Sequence, residues 1–250
     1  MSNLVVLIMA GGLGKRMNSD IPKVLHNVDF KQNLPMIVHV ILTAISLNPA
    51  KIFIIVGKYK SIIEETINKY VNSSIIEYVI QADALGTGHA IKCSLDQIKN
   101  YVDCKALILS GDVPLISSNT LNNLYYDQSN KLLVTELDDP TGCGRIILDI
   151  DHNILKIVEQ KDCNDLEKNI NLVNCGIYQI KVCDLLNLIP LISNNNKAGE
   201  YYLTDIIQLM IENNIKINYY NLPQSSHYEI KNVNSQKDLN DLNEFVKNNL

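Results

Sequence analysis

The sequence predicts an α/β protein with a mixed, mostly parallel sheet, and three observations predict it. Short runs rich in Val, Ile and Leu recur at residues 4–9, 51–56, 75–80 and 105–110, each bounded by charges or turn residues, as buried strands are. Between them, residues 36–47, 60–71 and 88–98 carry apolar side chains at helical spacing. Strand and helix therefore alternate through the first half, which is the pattern of right-handed βαβ units.

The second half is less regular. Strands are predicted at 131–137, 145–148, 154–159 and 172–180, and helices near 182–188, 204–213 and 236–247. In an open parallel sheet, ligands sit beyond the carboxyl ends of the strands. The loops after the strands are thus the places to look for chemistry.

Composition narrows the function classes. With 46% hydrophobic and 20% charged residues in 250, the chain is ordinary globular material, long enough to bury a core as one domain. A formal charge of −5 without a long Lys/Arg run argues against a nucleic-acid partner. The apolar run at 4–9 is too short to cross a bilayer and follows no basic segment, so neither a membrane partner nor a signal peptide is expected. Six cysteines without a C-x-x-C pair read as reduced thiols of a cytoplasmic protein. Five scattered histidines give zinc little support, and His39 and His89 read as helix residues. Clusters such as Asn194-Asn195-Asn196 read as nucleotide composition bias.

The first strand runs into Ala10-Gly11-Gly12-Leu13-Gly14-Lys15-Arg16-Met17, a turn that exposes backbone N–H groups beside two cations and so suits a polyphosphate. It is no P-loop, since neither Ser nor Thr follows Gly14-Lys15, and G-x-G-x-x-G fails at Met17. Alone, it also reads as a tight turn with solvated charges. Ser19-Asp20-Ile21-Pro22-Lys23-Val24-Leu25-His26 then sets a lysine after a proline, in an extended backbone.

Together these segments resemble the nucleotidyltransferases acting on sugar 1-phosphates, and most closely the uridyltransferase domain of the bacterial N-acetylglucosamine-1-phosphate uridyltransferases. Further segments match in order. Gln81-Ala82-Asp83-Ala84-Leu85-Gly86-Thr87-Gly88-His89-Ala90 is similar to the family's uracil-recognising segment, and Gly111-Asp112-Val113-Pro114-Leu115-Ile116 to its metal-binding loop. Asp138-Asp139-Pro140-Thr141-Gly142-Cys143-Gly144-Arg145, Val158-Glu159-Gln160-Lys161-Asp162, Asn174-Cys175-Gly176-Ile177 and Gly199-Glu200-Tyr201-Tyr202-Leu203-Thr204-Asp205 resemble its sugar side. Val233-Asn234 stands where the family has a second metal ligand, so the likeness covers residues 3–247.

The resemblance implies a Rossmann-like, glycosyltransferase-A-like nucleotidyltransferase fold in one domain. Its nucleotide-binding half is about residues 1–130, its sugar-binding half about 131–234, and a C-terminal helix follows at 235–250. Implied substrates are UTP and an amino-sugar 1-phosphate, with Mg²⁺ as cofactor. Ala10, Gly11, Gly12, Gly14, Gln81, Gly86 and Thr87 would bind the nucleotide, and Gly144, Glu159, Asn174, Tyr202 and Thr204 the sugar. Arg16 and Lys23 would be catalytic, and Asp112 and Asn234 would hold the metal.

Four positions depart from the family pattern. Gly11 stands for Ala, Lys15 for Thr, Ser110 for an aromatic residue and Cys143 for Tyr. Lys15 adds charge beside the triphosphate, and Ser110 alters the wall near uracil or ribose, so another sugar phosphate or nucleotide is the alternative reading. A non-catalytic sugar-nucleotide sensor on the same fold is a second. The sequence ends soon after Val233, so the acetyltransferase activity of the bacterial relatives and the trimer built by their β-helix are not expected. A monomer or weak homo-oligomer is.

Overall fold

A computed structural model describes residues 3–12 and 14–250; Leu13 and the side chain of Lys15 lie outside what is described. Strand β1 (Leu4–Met9) leads through two short 3₁₀ turns, Lys15–Met17 and Lys23–Leu25, into the hairpin β2 (Asn27–Phe30) and β3 (Gln32–Pro35). There follow α1 (Met36–Ser46), β4 (Lys51–Val56), α2 (Lys60–Asn68), β5 (Ile76–Ile80), α3 (Thr87–Cys93), α4 (Leu95–Ile98), β6 (Lys105–Ser110) and α5 (Ser118–Tyr125). The second half contributes β7 (Asn130–Glu136), β8 (Arg145–Leu148), β9 (Ile154–Val158), β10 (Leu172–Lys181), α6 (Val182–Leu188), α7 (Asp205–Glu212), β11 (Ile217–Asn221) and α8 (Gln236–Asn249).

The main sheet runs β11-β7-β10-β6-β1-β4-β5, with β8 pairing β10 and β9 pairing β8. β1 lies parallel to both β4 and β6, and β4 lies parallel to β5. β10 joins β6 and β7 antiparallel, so the second half continues the same sheet. The predicted mixed, mostly parallel α/β architecture is the one observed.

Why the central strands are unbroken apolar runs is plain from their two faces. Leu4, Val6 and Ile8 enter one core with Ile52, Ile54, Leu107 and Leu109, whereas Val5 and Leu7 enter the other with Phe53, Ile55, Ala106 and Ile108. Both faces are covered, as the βαβ crossovers of a parallel sheet require. A third, smaller core joins Met17 and Val28 to Leu239, Leu242 and Val246 of α8, tying the C-terminal helix to the hairpin behind the glycine turn.

Several predicted boundaries need correction. The helix expected at 88–98 is two pieces, α3 and α4, meeting at Ser94, whose hydroxyl donates to Ile91 O (2.7 Å) and competes with the helical ladder. The strand expected at 75–80 starts at Ile76, and the helix expected at 60–71 ends at Asn68. The β2–β3 hairpin, α5 and β11 were not predicted. The hairpin turns on a single residue, Lys31 at φ 60°, without the Asn-Gly signal of common tight turns. α5 is Asn-rich and is held by its Ser117 cap and by buried Leu121 and Leu124.

Candidate active site

Two cavities open along the carboxyl ends of the parallel strands. The smaller, about 270 Å³, is lined by Ala10, Gly11, Gly12, Lys23, Gln81, Gly86 and Thr87 among others. The larger, about 540 Å³, is lined by Gly144, Glu159, Asn174 and Thr204. Met9, Thr87, Ser110 and Asp112 line both, so the two form one cleft divided over the end of β6.

On the smaller side, glycine and alanine make up much of the wall. Gly14 takes φ 59°, and a Cβ there would come within 2.8 Å of Lys23 Cβ, so glycine lets the turn lie against the lysine. Buried Gln81 donates both amide protons inward, to Gly86 O (3.1 Å) and His89 Nδ1 (3.2 Å). Its Oε1 is left as an acceptor beside Gly11, where a Cβ would lie 2.8 Å away. The family's usual alanine at position 11 would therefore press on Gln81. Gly86, at φ 115°, lies against Tyr201: Gly88 N donates to Tyr201 O (2.7 Å) and Tyr201 N to Leu85 O (2.8 Å). Thr87 Oγ1 accepts from Leu203 N (3.0 Å).

Between the cavities, the Lys23 ammonium is held by Asp112 Oδ2 and by Asn234 Oδ1, the latter at 3.1 Å. Residues 23, 112 and 234 are far apart in sequence and are brought together by the fold. The Ser110 hydroxyl donates to Asp112 Oδ1 (2.5 Å), so Ser110, which lines both cavities, also fixes this carboxylate. Asn234 is set by α8: Asp238 Oδ2 accepts from Asn234 N (2.9 Å) and Ser235 N (2.8 Å), closing a capping box with Ser235. Val233 N donates to Asp112 O (3.0 Å). Arg16 stands exposed on the first 3₁₀ turn and lines neither cavity. Its positive charge reaches Asp238, whose carboxyl is held below the ordinary range; burial opposes this, and the capping N–H groups and Arg16 outweigh it.

The larger side is built from side chains. Half-buried Glu159 accepts from the Thr204 hydroxyl (3.0 Å); desolvation pushes its carboxyl up, the Thr204 bond opposes this, and the charges of Asp162 and Glu200 add to the rise. Asp205 is pushed up to about 6, first by burial and then by Glu159 and Asp162. Burial and four neighbouring carboxylates push the Tyr202 phenol up to about 12; Tyr202 itself does not line the cavity. Asn174 donates to Tyr178 OH (2.6 Å) and accepts from Gly176 N (3.0 Å).

Three residues here escaped the sequence reading. Arg145, fully buried, donates to Cys143 O and to Gln160 Oε1 (2.7 Å), and the same Gln160 oxygen accepts from Gly142 N (3.0 Å). The turn at 141–144 is thereby pinned from behind. Both residues sat inside recognised motifs, but nothing in their spacing showed that they meet. His227 also lines the larger cavity, and no sequence signal marks it.

The chain belongs to the nucleotidyl transferase family, whose model matches residues 5–237. It is 44% identical to a protein of Acanthamoeba polyphaga mimivirus named "Probable UDP-N-acetylglucosamine pyrophosphorylase", over 94% of this chain and 93% of that one. The bifunctional protein GlmU of Legionella pneumophila is 38% identical over 96% of this chain but 51% of its own length, so the chain spans about half of that relative. Among solved structures, a UDP-glucose pyrophosphorylase complexed with UDP-glucose matches over 100% of both chains with a TM-score of 0.76 and 17% identity, a likeness of fold.

Proposed function

We propose that the chain transfers a uridylyl group from UTP to N-acetylglucosamine 1-phosphate, forming UDP-N-acetylglucosamine and pyrophosphate in the cytosol, as a monomer or weak homo-oligomer. The observation that carries this reading is the divided cleft: a backbone-lined cavity behind a glycine turn meets a side-chain-lined cavity at Lys23 and Asp112. Such an arrangement suits joining two phosphorylated ligands end to end. The names of the mimiviral and bacterial relatives supply the identities of the two substrates. The parallel-strand half, about residues 1–130, holds the nucleotide, and the part from about 131 to 234 holds the sugar.

The base lies in the smaller cavity. With both Gln81 amide protons spent inward, the side chain offers an acceptor, which suits the N3–H of uracil and repels the N3 lone pair of cytosine. The triphosphate runs over the turn at Gly11, Gly12 and Gly14, and the sugar lies against Gly144, Glu159, Asn174 and Thr204, with Tyr202 behind them. An oxygen of the sugar phosphate attacks the α-phosphorus in line, the bond to the β-phosphate oxygen breaks, and pyrophosphate leaves with the electron pair. No side-chain nucleophile is needed, because such transfers depend on positioning and charge stabilisation. Arg16 and Lys23 neutralise charge on the transferring and leaving phosphates.

The residues at the divide fit magnesium. Asp112 and Asn234 already aim two oxygens at one cation, the Lys23 ammonium, and hard oxygen donors with room for phosphate and water are what Mg²⁺ takes. Bound there, the ion would screen the nucleotide and sugar phosphates from one another. Asp112→Asn is expected to raise the Mg²⁺ concentration needed for half-maximal rate, and an unchanged magnesium titration would move the metal site elsewhere.

The deciding assay is pyrophosphate release from a matrix of nucleoside triphosphates and sugar 1-phosphates. UTP with N-acetylglucosamine 1-phosphate should give the highest kcat/KM. Release that prefers another pair would reassign the substrates, and none with any pair would leave a sugar-nucleotide-binding protein.

A further inference from the structure

We propose that His227 is a sugar-binding residue: its ring Nδ1 accepts a hydrogen bond from a hydroxyl or amide N–H of the sugar phosphate in the larger cavity. This rests on the reading of that cavity as the sugar side. His227 belongs to the 3₁₀ segment Gln224–Ile230 and lines the cavity with Gly144, Glu159 and Asn174.

The tautomer follows from one proton on one hydroxyl. Thr135 is wholly buried on β7, and its Oγ1 lies 3.1 Å from Leu222 O and 2.6 Å from His227 Nε2. A carbonyl oxygen can only accept, so the threonine proton goes to Leu222. The shorter contact must then be donated by the ring, as Nε2–H to Oγ1. A neutral imidazole carries one N–H, so Nδ1 is left with its lone pair.

That nitrogen is unspent. It has no hydrogen-bond partner among the described residues, and it is absent from the buried unpartnered atoms, so a ligand in the cavity can reach it. The neighbouring polar groups are held in place by bonds of their own: Asn174 bonds Tyr178 and Gly176, and Glu159 Oε1 receives Thr204. A fixed acceptor in a half-enclosed wall selects ligands that present a proton and rejects those that do not.

The test uses the wild-type protein first. Ring ¹⁵N resonances of His227 are expected to show the Nε2–H tautomer, and the Nδ1 signal should move on adding UDP-N-acetylglucosamine but not UTP alone. The opposite tautomer, or an Nδ1 signal that ignores the sugar nucleotide, overturns the proposal, and this measurement needs no turnover. In kinetics, His227→Ala should raise KM for the sugar phosphate roughly 5–10-fold, the scale of one neutral hydrogen bond, with KM for UTP within about twofold. His227→Asn, which returns an acceptor near the Nδ1 position, should recover most of the loss, and Thr135→Val, which frees the ring, should reproduce part of it. An unchanged sugar-phosphate KM, or equal rises in both KM values, refutes the assignment. Wild-type protein that releases no pyrophosphate would instead count against the reaction itself.

Discussion

The two walls of the cleft are made of different material. The wall of the smaller cavity hangs from the ends of parallel strands and is rich in glycine: a Cβ on Gly11 would press on Gln81 and one on Gly86 on Tyr201, and Gln81 folds its amide protons inward. The wall of the larger cavity presents side chains carried largely on antiparallel strands, and burial first, then neighbouring carboxylates, raises the pKa of Glu159 there and of nearby Asp205. The first wall is set by sterics and the second by charge. Substitutions should therefore fail in different ways on the two sides.

The largest expected effect is on the steric side. A Cβ on Gly86 would stand 2.5 Å from Tyr201 O and 2.9 Å from Tyr201 N, both main-chain atoms, at φ 115°. Gly86→Ala should cost several kcal/mol and lower Tm and activity together. A well-folded Gly86→Ala protein with normal KM for UTP would mean that the wall yields. Arg16→Ala comes next: it should lower kcat by ~100-fold or more, the scale of one charge-stabilising group, with little change in Tm because the residue is exposed. Turnover within a few-fold of wild type would remove Arg16 from the chemistry.

On the charged side the readout is pH. The folded Asp205 carboxyl is raised to about 6 from 3.8, so between those values the native state holds more proton than the unfolded chain, and stability falls as pH rises through the window. Asp205→Asn should consequently stabilise the protein by roughly 1–3 kcal/mol above pH 6 and by nothing below about pH 4. A gain that is flat with pH would show that charge is not what strains this wall. The smallest effect belongs to the α8 cap, where Asp238→Ala should cost about 1 kcal/mol of stability and, by loosening Asn234, raise the Mg²⁺ concentration needed for half-maximal rate. Unchanged magnesium titration with lowered Tm would confine Asp238 to capping.

The same contrast governs what could be read from the sequence. Strands β1, β4 and β6 were legible to the residue, because strands buried on both faces must be unbroken apolar runs. The glycine turn and Lys23 stand out in the sequence as candidate chemistry because exposed backbone N–H groups beside cations suit a polyphosphate. The wall of the larger cavity is visible only through family likeness: the meeting of Arg145 with Gln160, or of His227 with Thr135, is fixed by sheet packing that local spacing does not encode. The contact of Ser110 with Asp112 is not legible in the sequence, since it depends on the turn that follows β6. Asn-rich α5 and the one-residue hairpin turn escaped because tertiary contacts, not intrinsic preference, hold them.

The bonds of Tyr201 to Leu85 and Gly88, with the Thr87 hydroxyl on Leu203, make the segment after β5 and the segment before α7 a single unit of exchange. A chimera that borrows residues 81–90 from a relative with another base preference inherits a mismatched seam unless it also borrows 199–204. Shuffling the two together leaves the seam intact, and base and sugar preference would then travel as a pair.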